Sequence, residues 1–309
     1  MKKYIFTSLL ALAAFFGAVG PTKAQTKTTH SFAVRDTADL YLDLYMPEDP
    51  ALVAMNRPVV LFAFGGGFQS GTRDHESYLP WFRALCSQGF PVVSIDYRLG
   101  LKGIEYKMNF KFLNQLQNAI DSAVEDMYSA TVYLLKHAET LRLENRGIVI
   151  SGSSAGAVMS LQAEYYIANG FPLTSLLPEG FNYAGVMAFS GAVLSHRGRV
   201  RYDTAPCPQL LFHGTDDRMV TYRQIRIFHH CFGGSNHIAR QLKRAEANYQ
   251  IWRFSGHYHE ICVSMLRNLD KELPFLCRNV ERGERVITDA VVDDPVIPIP
   301  DWGNEAAVR

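Results

Sequence analysis

The sequence predicts one three-layer α/β domain, a mostly parallel sheet with helices on both faces. Three observations lead there. From about residue 30, short apolar runs alternate with segments of helical spacing. The runs are apolar throughout, as strands covered on both sides must be. No repeat, low-complexity tract or Ser/Gly linker divides the 309 residues. With 48% apolar residues, the chain has the composition of a sizeable core. A formal charge of +1, from 31 basic and 30 acidic residues, leaves no electrostatic footprint for nucleic acid or an anionic membrane surface.

The elements follow in order. MKKYIFTSLLALAAFFGAVGPTKAQ sets two lysines before an apolar stretch that ends near Val19, then small residues. This is the layout of a secretory signal peptide, residues 1–24, cleaved after Ala24. The stretch is shorter than the ~20 residues of a spanning helix. Residues 25–309 are therefore expected as one exported domain, periplasmic or extracellular, without stable membrane insertion. LYLDLYMP (40–47) alternates like a strand and is closed by Pro47. RPVVLFAFGGGF (57–68) is a β-branched and aromatic run ending in three glycines. ESYLPWFRALCSQG (76–89) is helical in spacing, and FPVVSIDYRL (90–99) is a buried-type strand. Residues 114–141 place Leu116, Ile120, Val124, Met127, Ala130 and Leu134 at three- and four-residue intervals, one face of a long helix.

GIVI (147–150) is a short strand, and 155–170 a helix stopped by Gly170. YAGVMAFSG (183–191), PQLLFHG (208–214) and YQIWRFSG (249–256) are strands. TYRQIRIFHHCF and SNHIARQLKRAEA have a helical look, and EICVSMLRNLDKELPFLC is mostly helix. The prolines and acids after about residue 290 predict an extended surface tail. The five cysteines (Cys86, Cys207, Cys231, Cys262, Cys277) show no CxxC spacing. Their odd number leaves at least one thiol unpaired within the chain, and the sequence assigns no disulfide.

In such a sheet, functional groups sit on loops at the carboxyl ends of strands. RGIVISGSSAGAVMS offers three serines at such a place. A nucleophilic serine on a sharp strand-to-helix turn needs glycine two residues to either side, where side chains would strike neighbouring backbone. Ser151 and Ser153 lack both flanking glycines; Ser154 has Gly152 and Gly156. Ser151 and Ser153 read as small residues that let the bend form.

A serine also needs a base and an acid to orient that base, which in this kind of fold follow in the order Ser, acid, His. His213 ends one predicted strand and Asp216 and Asp217 follow it, while His257 and His259 follow another. Oxyanion donors are available at Ala155, on a helix N-terminus, and at Gly66 and Gly67. A phosphate cradle is the rival for the glycine run, but neither G-x-G-x-x-G nor G-x-x-x-x-G-K is completed.

DLYLDLYMP, FAFGGGF, VVSIDYRLG, AVEDMYSATVYL, GSSAG, HGTDDRMV and GHYHE together resemble the α/β-hydrolase fold serine esterase/lipase superfamily. The likeness is closest to carboxylesterases with a His-Gly-Gly-Gly oxyanion loop, and it runs from about Leu40 to the helix after His259. The resemblance implies the three-layer α/β-hydrolase fold, with Ser154 as nucleophile and Gly66, Gly67 and Ala155 as oxyanion donors. It selects Asp217 over Asp216, because the acid stands three residues after Gly214 and three before Val220. For the base it favours His259, followed by Glu260, with His257 as the alternative. One position departs: Phe64 stands where the family carries a histidine, which leaves open how the glycine loop is held.

No cofactor is implied. A metal site among His229, His230, Cys231, His237, His257 and His259 completes no HExxH or HxHxDH pattern. The reading is a secreted serine hydrolase of carboxylic esters, with a small-molecule or carbohydrate-linked (acetyl or feruloyl) ester as substrate. No feature fixes the oligomeric state. The alternatives are a serine peptidase of the prolyl-oligopeptidase type, which leaves no room between residues 25 and 40 for a large access-restricting domain, and a non-catalytic binding protein on the same scaffold. The insertions 100–117 and 167–183 offer Tyr106, Phe110, Phe112, Phe171, Leu176, Leu177 and Phe181 to roof a pocket.

Overall fold

The β-branched and aromatic runs pair into a nine-stranded sheet. The computed structural model describes residues 25–36, 38–107, 109–227 and 229–293, so the expected signal peptide lies outside the described residues. Strands β1 (Thr26–Arg35), β2 (Ala38–Met46), β3 (Val59–Ala63) and β4 (Val92–Ile95) form one half of the sheet. The other half holds β5 (Ile148–Ser153), β6 (Gly185–Phe189), β8 (Gln209–Gly214) and β11 (Tyr249–Phe254), edged by β12 (Thr288–Val292). The order is β1-β2-β4-β3-β5-β6-β8-β11-β12, antiparallel at β1-β2 and β2-β4 and parallel elsewhere. A second, antiparallel sheet has the order β7-β10-β9, from β7 (Ala192–Ser195), β9 (Gln224–Ile227) and β10 (His230–Gly234).

The helices are α1 (Pro50–Ala54), α2 (Leu79–Ser87), α3 (Phe110–Lys136), α4 (Ala138–Leu141), α5 (Ala155–Ala168), α6 (Ser235–Arg244) and α7 (Leu269–Pro274). Helix α3 starts where the Asn109 side chain accepts from Phe112 N at 2.8 Å, and it buries the stripe Ile120, Val124, Met127, Ala130 and Leu134. Helix α5 is buried almost all round, which is why its sequence shows no polar face. Two sequence landmarks prove to be one structural joint. Asp126 of α3, fully buried, accepts from Arg98 Nε at 2.9 Å and from Arg35 Nε at 3.0 Å, so the charges are neutralised where water is excluded.

Three expectations change. TYRQIRIFHHCF folds as β9 and β10, because Ile225 and Ile227 alternate at period two and pair across to Phe232 and His230. Residues 259–281 are mostly helical as expected, but divided into short 3-10 turns, α7 and a π turn, Phe275–Glu281. Of the tail, residues 290–292 complete β12 on the sheet edge, while 294–309 lie outside the described residues. The five cysteines are all free, and four of them are buried.

Candidate active site

The chain runs from β3 outward to β4, then returns across β3 to begin β5. The loops after β3 and β5 therefore open apart at a topological switch point, where open α/β sheets place their ligands. Ser154 stands on the turn from β5 to α5 with φ 50 and ψ −114, a conformation costly for a residue with a Cβ. Its flanks show why both must be glycine. A Cβ on Gly152 would lie 2.1 Å from the Gly156 carbonyl carbon, and one on Gly156 would lie 2.0 Å from Ala63 O. Ser154 N donates to Phe189 O at 2.9 Å, and its hydroxyl, free of capping duty, points elsewhere.

That hydroxyl meets His259 Nε2 at 2.7 Å, and His259 Nδ1 meets Asp217 Oδ2 at 2.7 Å. Nδ1 faces a carboxylate and so carries the proton, leaving Nε2 to accept from Ser154. His257, the other candidate, meets Glu260 Oε1 through Nδ1 at 2.9 Å. Glu260 also accepts from Tyr258 N, which fixes the bend that presents His259. Asp216 is exposed and points its N–H at His257 O, whereas Asp217 is buried. Ser153 Oγ donates to Cys262 O at 2.7 Å and ties the elbow to the His259 turn, while Ser151 is buried in the sheet. The Ser153 and Glu260 contacts join segments about a hundred residues apart or close a local turn, and no sequence pattern announces the first.

Charge is steered along this row. Burial alone would raise the Asp217 pKa, but donors from His213 and His259 hold the carboxyl well below its usual range. Burial would lower the His259 pKa; the Cys262 sulfur and the Asp217 carboxylate outweigh it and raise the imidazole above its ordinary 6.5.

The glycine loop is held without the family's histidine. The Phe64 ring is buried and stacks on Tyr97 at 4.4 Å, and Tyr97 Oη donates to Phe64 O at 2.9 Å. Gly65 N donates to Tyr78 Oη at 3.2 Å. Gly66 O receives Gln69 N and Ser70 N at 3.0 and 3.1 Å, and Gly67 O receives Tyr106 Oη at 2.9 Å. Gln69 Nε2 reaches Ile104 O at 2.7 Å. Gly66 and Gly67 adopt φ of 130 and 64, and their N–H groups meet no backbone acceptor among the described residues. Ala155 N belongs to the first turn of α5, whose N–H groups have no intrahelical acceptor.

Gly66, Gly67, Ser154, Ala155 and His259 line one cavity of about 760 Å³. Its walls include Tyr106 and Phe112 from the first insertion, and Leu194, Ile225, Ile227 and Phe232 from the small sheet. Phe110 lies outside this lining. The second insertion does not roof the site: Phe171, Leu177 and Phe181 border a separate depression, because 3-10 residues Pro172–Leu176 pack beside α3 and α5 instead.

Comparison with known proteins matches the fold. Residues 42–169 match the BD-FAE family model. A structure of Thermogutta terrifontis esterase 2 phosphorylated by paraoxon superposes with TM-score 0.57 and 20% identity, over 82% of this chain and 95% of that one. Lipase 2 of Moraxella sp. is 31% identical over 102 residues, 33% of this chain and 20% of that protein. Non-reducing polyketide synthase ausA of Emericella nidulans is 28% identical over 127 residues, 41% of this chain and 4% of that protein. The chain thus spans only a small part of the curated relatives it matches. In strand order, in the placing of Ser154 on the turn after β5 and in its likeness to a solved esterase, the chain has the α/β-hydrolase fold.

Proposed function

We propose that the protein is a serine esterase that cleaves carboxylic esters through an acyl-enzyme. The observation that carries this reading is the unbroken row Ser154 Oγ, His259 Nε2 and Nδ1, Asp217 Oδ2, with both links at 2.7 Å, at the floor of an apolar cavity. Ser154 Oγ attacks the ester carbonyl as His259 Nε2 takes its proton. Asp217 stabilises the imidazolium. The oxyanion forms against the N–H groups of Gly66, Gly67 and Ala155, each such donor worth about 2.7–4 kcal/mol in the transition state. The alcohol leaves with the proton from His259. Water, deprotonated by the same nitrogen, then releases the acid and restores Ser154.

The names of the relatives, an esterase and a lipase among them, agree with ester chemistry. Short-chain or carbohydrate-linked esters, acetyl or feruloyl, are the proposed substrates. The cavity of about 760 Å³ has room for more than an acetyl group, and its apolar walls suit the hydrocarbon part of either side of the ester. Residues 1–24 would direct export. The test is Ser154→Ala on an activated short-chain ester such as 4-nitrophenyl acetate. Loss of the nucleophile is expected to lower kcat by about 10⁴- to 10⁶-fold; a rate equal to that of the unaltered protein would sink the assignment. A panel of acetyl, butyryl, feruloyl and long-chain esters then ranks the substrates.

A further inference from the structure

The Asp217 carboxylate is held by more than the base it faces. Oδ1 accepts from Met219 N at 2.9 Å and Val220 N at 3.0 Å, closing the turn after β8. Oδ2 accepts from His259 Nδ1, and a second imidazole, that of His213, stands on the same oxygen with Nε2 at 3.2 Å. The same Nε2 lies 3.0 Å from Val220 O. Both of these neighbours are acceptors, so Nε2 carries the hydrogen. The opposite nitrogen, Nδ1, lies 2.8 Å from Ser235 Oγ, at the start of α6. His213 and Ser235 are fully buried, and the Tyr222 ring packs at a steep angle to the imidazole at a centroid distance of 5.6 Å.

His213 does not touch the cavity that holds Ser154, and no step of ester hydrolysis needs it. A buried imidazole with both nitrogens engaged is a demanding way to fill a core position, since each polar atom must be satisfied. An apolar side chain would fill the end of β8 without that demand. What the imidazole adds is a donor directed at one carboxylate oxygen and at the backbone of the turn that carries the carboxylate.

We propose that His213 is a positioning residue: it fixes the Oδ2 oxygen of Asp217 toward His259, and Ser235 fixes the tautomer and plane of His213. This rests on the reading of Asp217 as the acid of the site. In the absence of the His213 donor Oδ2 keeps only its bond to His259, while Oδ1 stays on the turn, and the alignment of His259 with Ser154 loosens. Misplacements of this size cost on the order of tenfold to a hundredfold in rate. The charge on Oδ2 is also less neutralised, so it stabilises the imidazolium of His259 more strongly and raises the pH at which the base becomes active. The groups that meet at this oxygen are Asp217, His259 and His213, and Cys262 acts on His259 as well.

The experiment compares the unaltered protein with His213→Phe, His213→Gln, Ser235→Ala and Ser154→Ala on 4-nitrophenyl acetate across pH 5–10. His213→Phe is expected to lower kcat by about tenfold or more with KM within about twofold, and to move the inflection of kcat/KM to higher pH. His213→Gln keeps an N–H donor at similar reach and is expected to recover most of kcat. Ser235→Ala removes only the outer contact and is expected to lower kcat severalfold without changing KM. Should His213→Phe not fold, Ser235→Ala and His213→Gln decide the question. Superimposable kcat and pH profiles in all folded His213 and Ser235 variants, beside an inactive Ser154→Ala, would overturn the role of His213 alone. A fully active Ser154→Ala would overturn the reading of the whole site, and this proposal with it.

Discussion

The elbow around Ser154 and the glycine loop at 65–67 line the same cavity, yet different forces hold them. The elbow is fixed by close packing of backbone. Gly152 faces Gly156, and Gly156 faces Ala63, at separations that admit no Cβ. The glycine loop is fixed by side chains borrowed from elsewhere: the Tyr97 ring under Phe64, Tyr78 on Gly65, and Tyr106 on Gly67. Steric fixation needs only neighbours in the chain and one adjacent strand. Fixation by phenols depends on three separate segments arriving together. The first kind of loop should therefore fail all at once when altered, and the second by degrees.

Two substitutions press on that contrast, and a pH profile tests the row that joins the elbow to its base. Gly156→Ala drives a Cβ into the Ala63 carbonyl and is expected to cost about 3 kcal/mol or more. The shifted elbow should lose on the order of 100-fold in kcat; thermal unfolding and steady-state rates measure both. A stable, fully active Gly156→Ala protein would show that packing does not hold the elbow.

The pH profile comes next in size. His259 acts as a base only when neutral, and its pKa is raised above 6.5 by Cys262 and Asp217 against the effect of burial. The neutral ring that accepts from Ser154 is therefore reached at higher pH than in a free imidazole, and kcat/KM should climb with pH until the raised pKa is passed. An inflection at or below 6.5 would contradict the electrostatics of the row.

Tyr106→Phe is the mildest. It removes one hydrogen bond to Gly67 O, worth about 0.5–1.5 kcal/mol, and keeps the ring against Phe112 at 5.3 Å. A fall in kcat of about two- to tenfold is expected, with KM little changed. A KM effect alone would make Tyr106 a wall of the cavity and not a support of the loop.

Much of this was legible in the sequence because it depends on local spacing. The glycines two residues either side of Ser154 state a steric condition within five residues. Apolar strands and the stripe on α3 state which faces are buried. The segment 221–232 was not legible as strands: with only a few residues per strand, its pattern also fits a helix, and the partner that decides, β7, lies some thirty residues earlier. The support of the glycine loop was hidden for the same reason, since Phe64 departs from the family pattern and its replacement, a ring stacked on Tyr97, has no signature along the chain.

By itself, then, the sequence determined the α/β alternation, the elbow at Ser154 and the order in which an acid and a histidine follow it. Only the tertiary structure decided which histidine meets Ser154, which insertion walls the cavity and what braces Asp217. Those depend on distances between residues far apart in the chain: 105 positions separate Ser154 from His259, and 42 separate Asp217 from it. Spacing along a strand or helix encodes contacts within one element. Contacts between elements are set by how the sheet stacks its strands, and the polar atoms left at their ends then find the partners that burial obliges them to have.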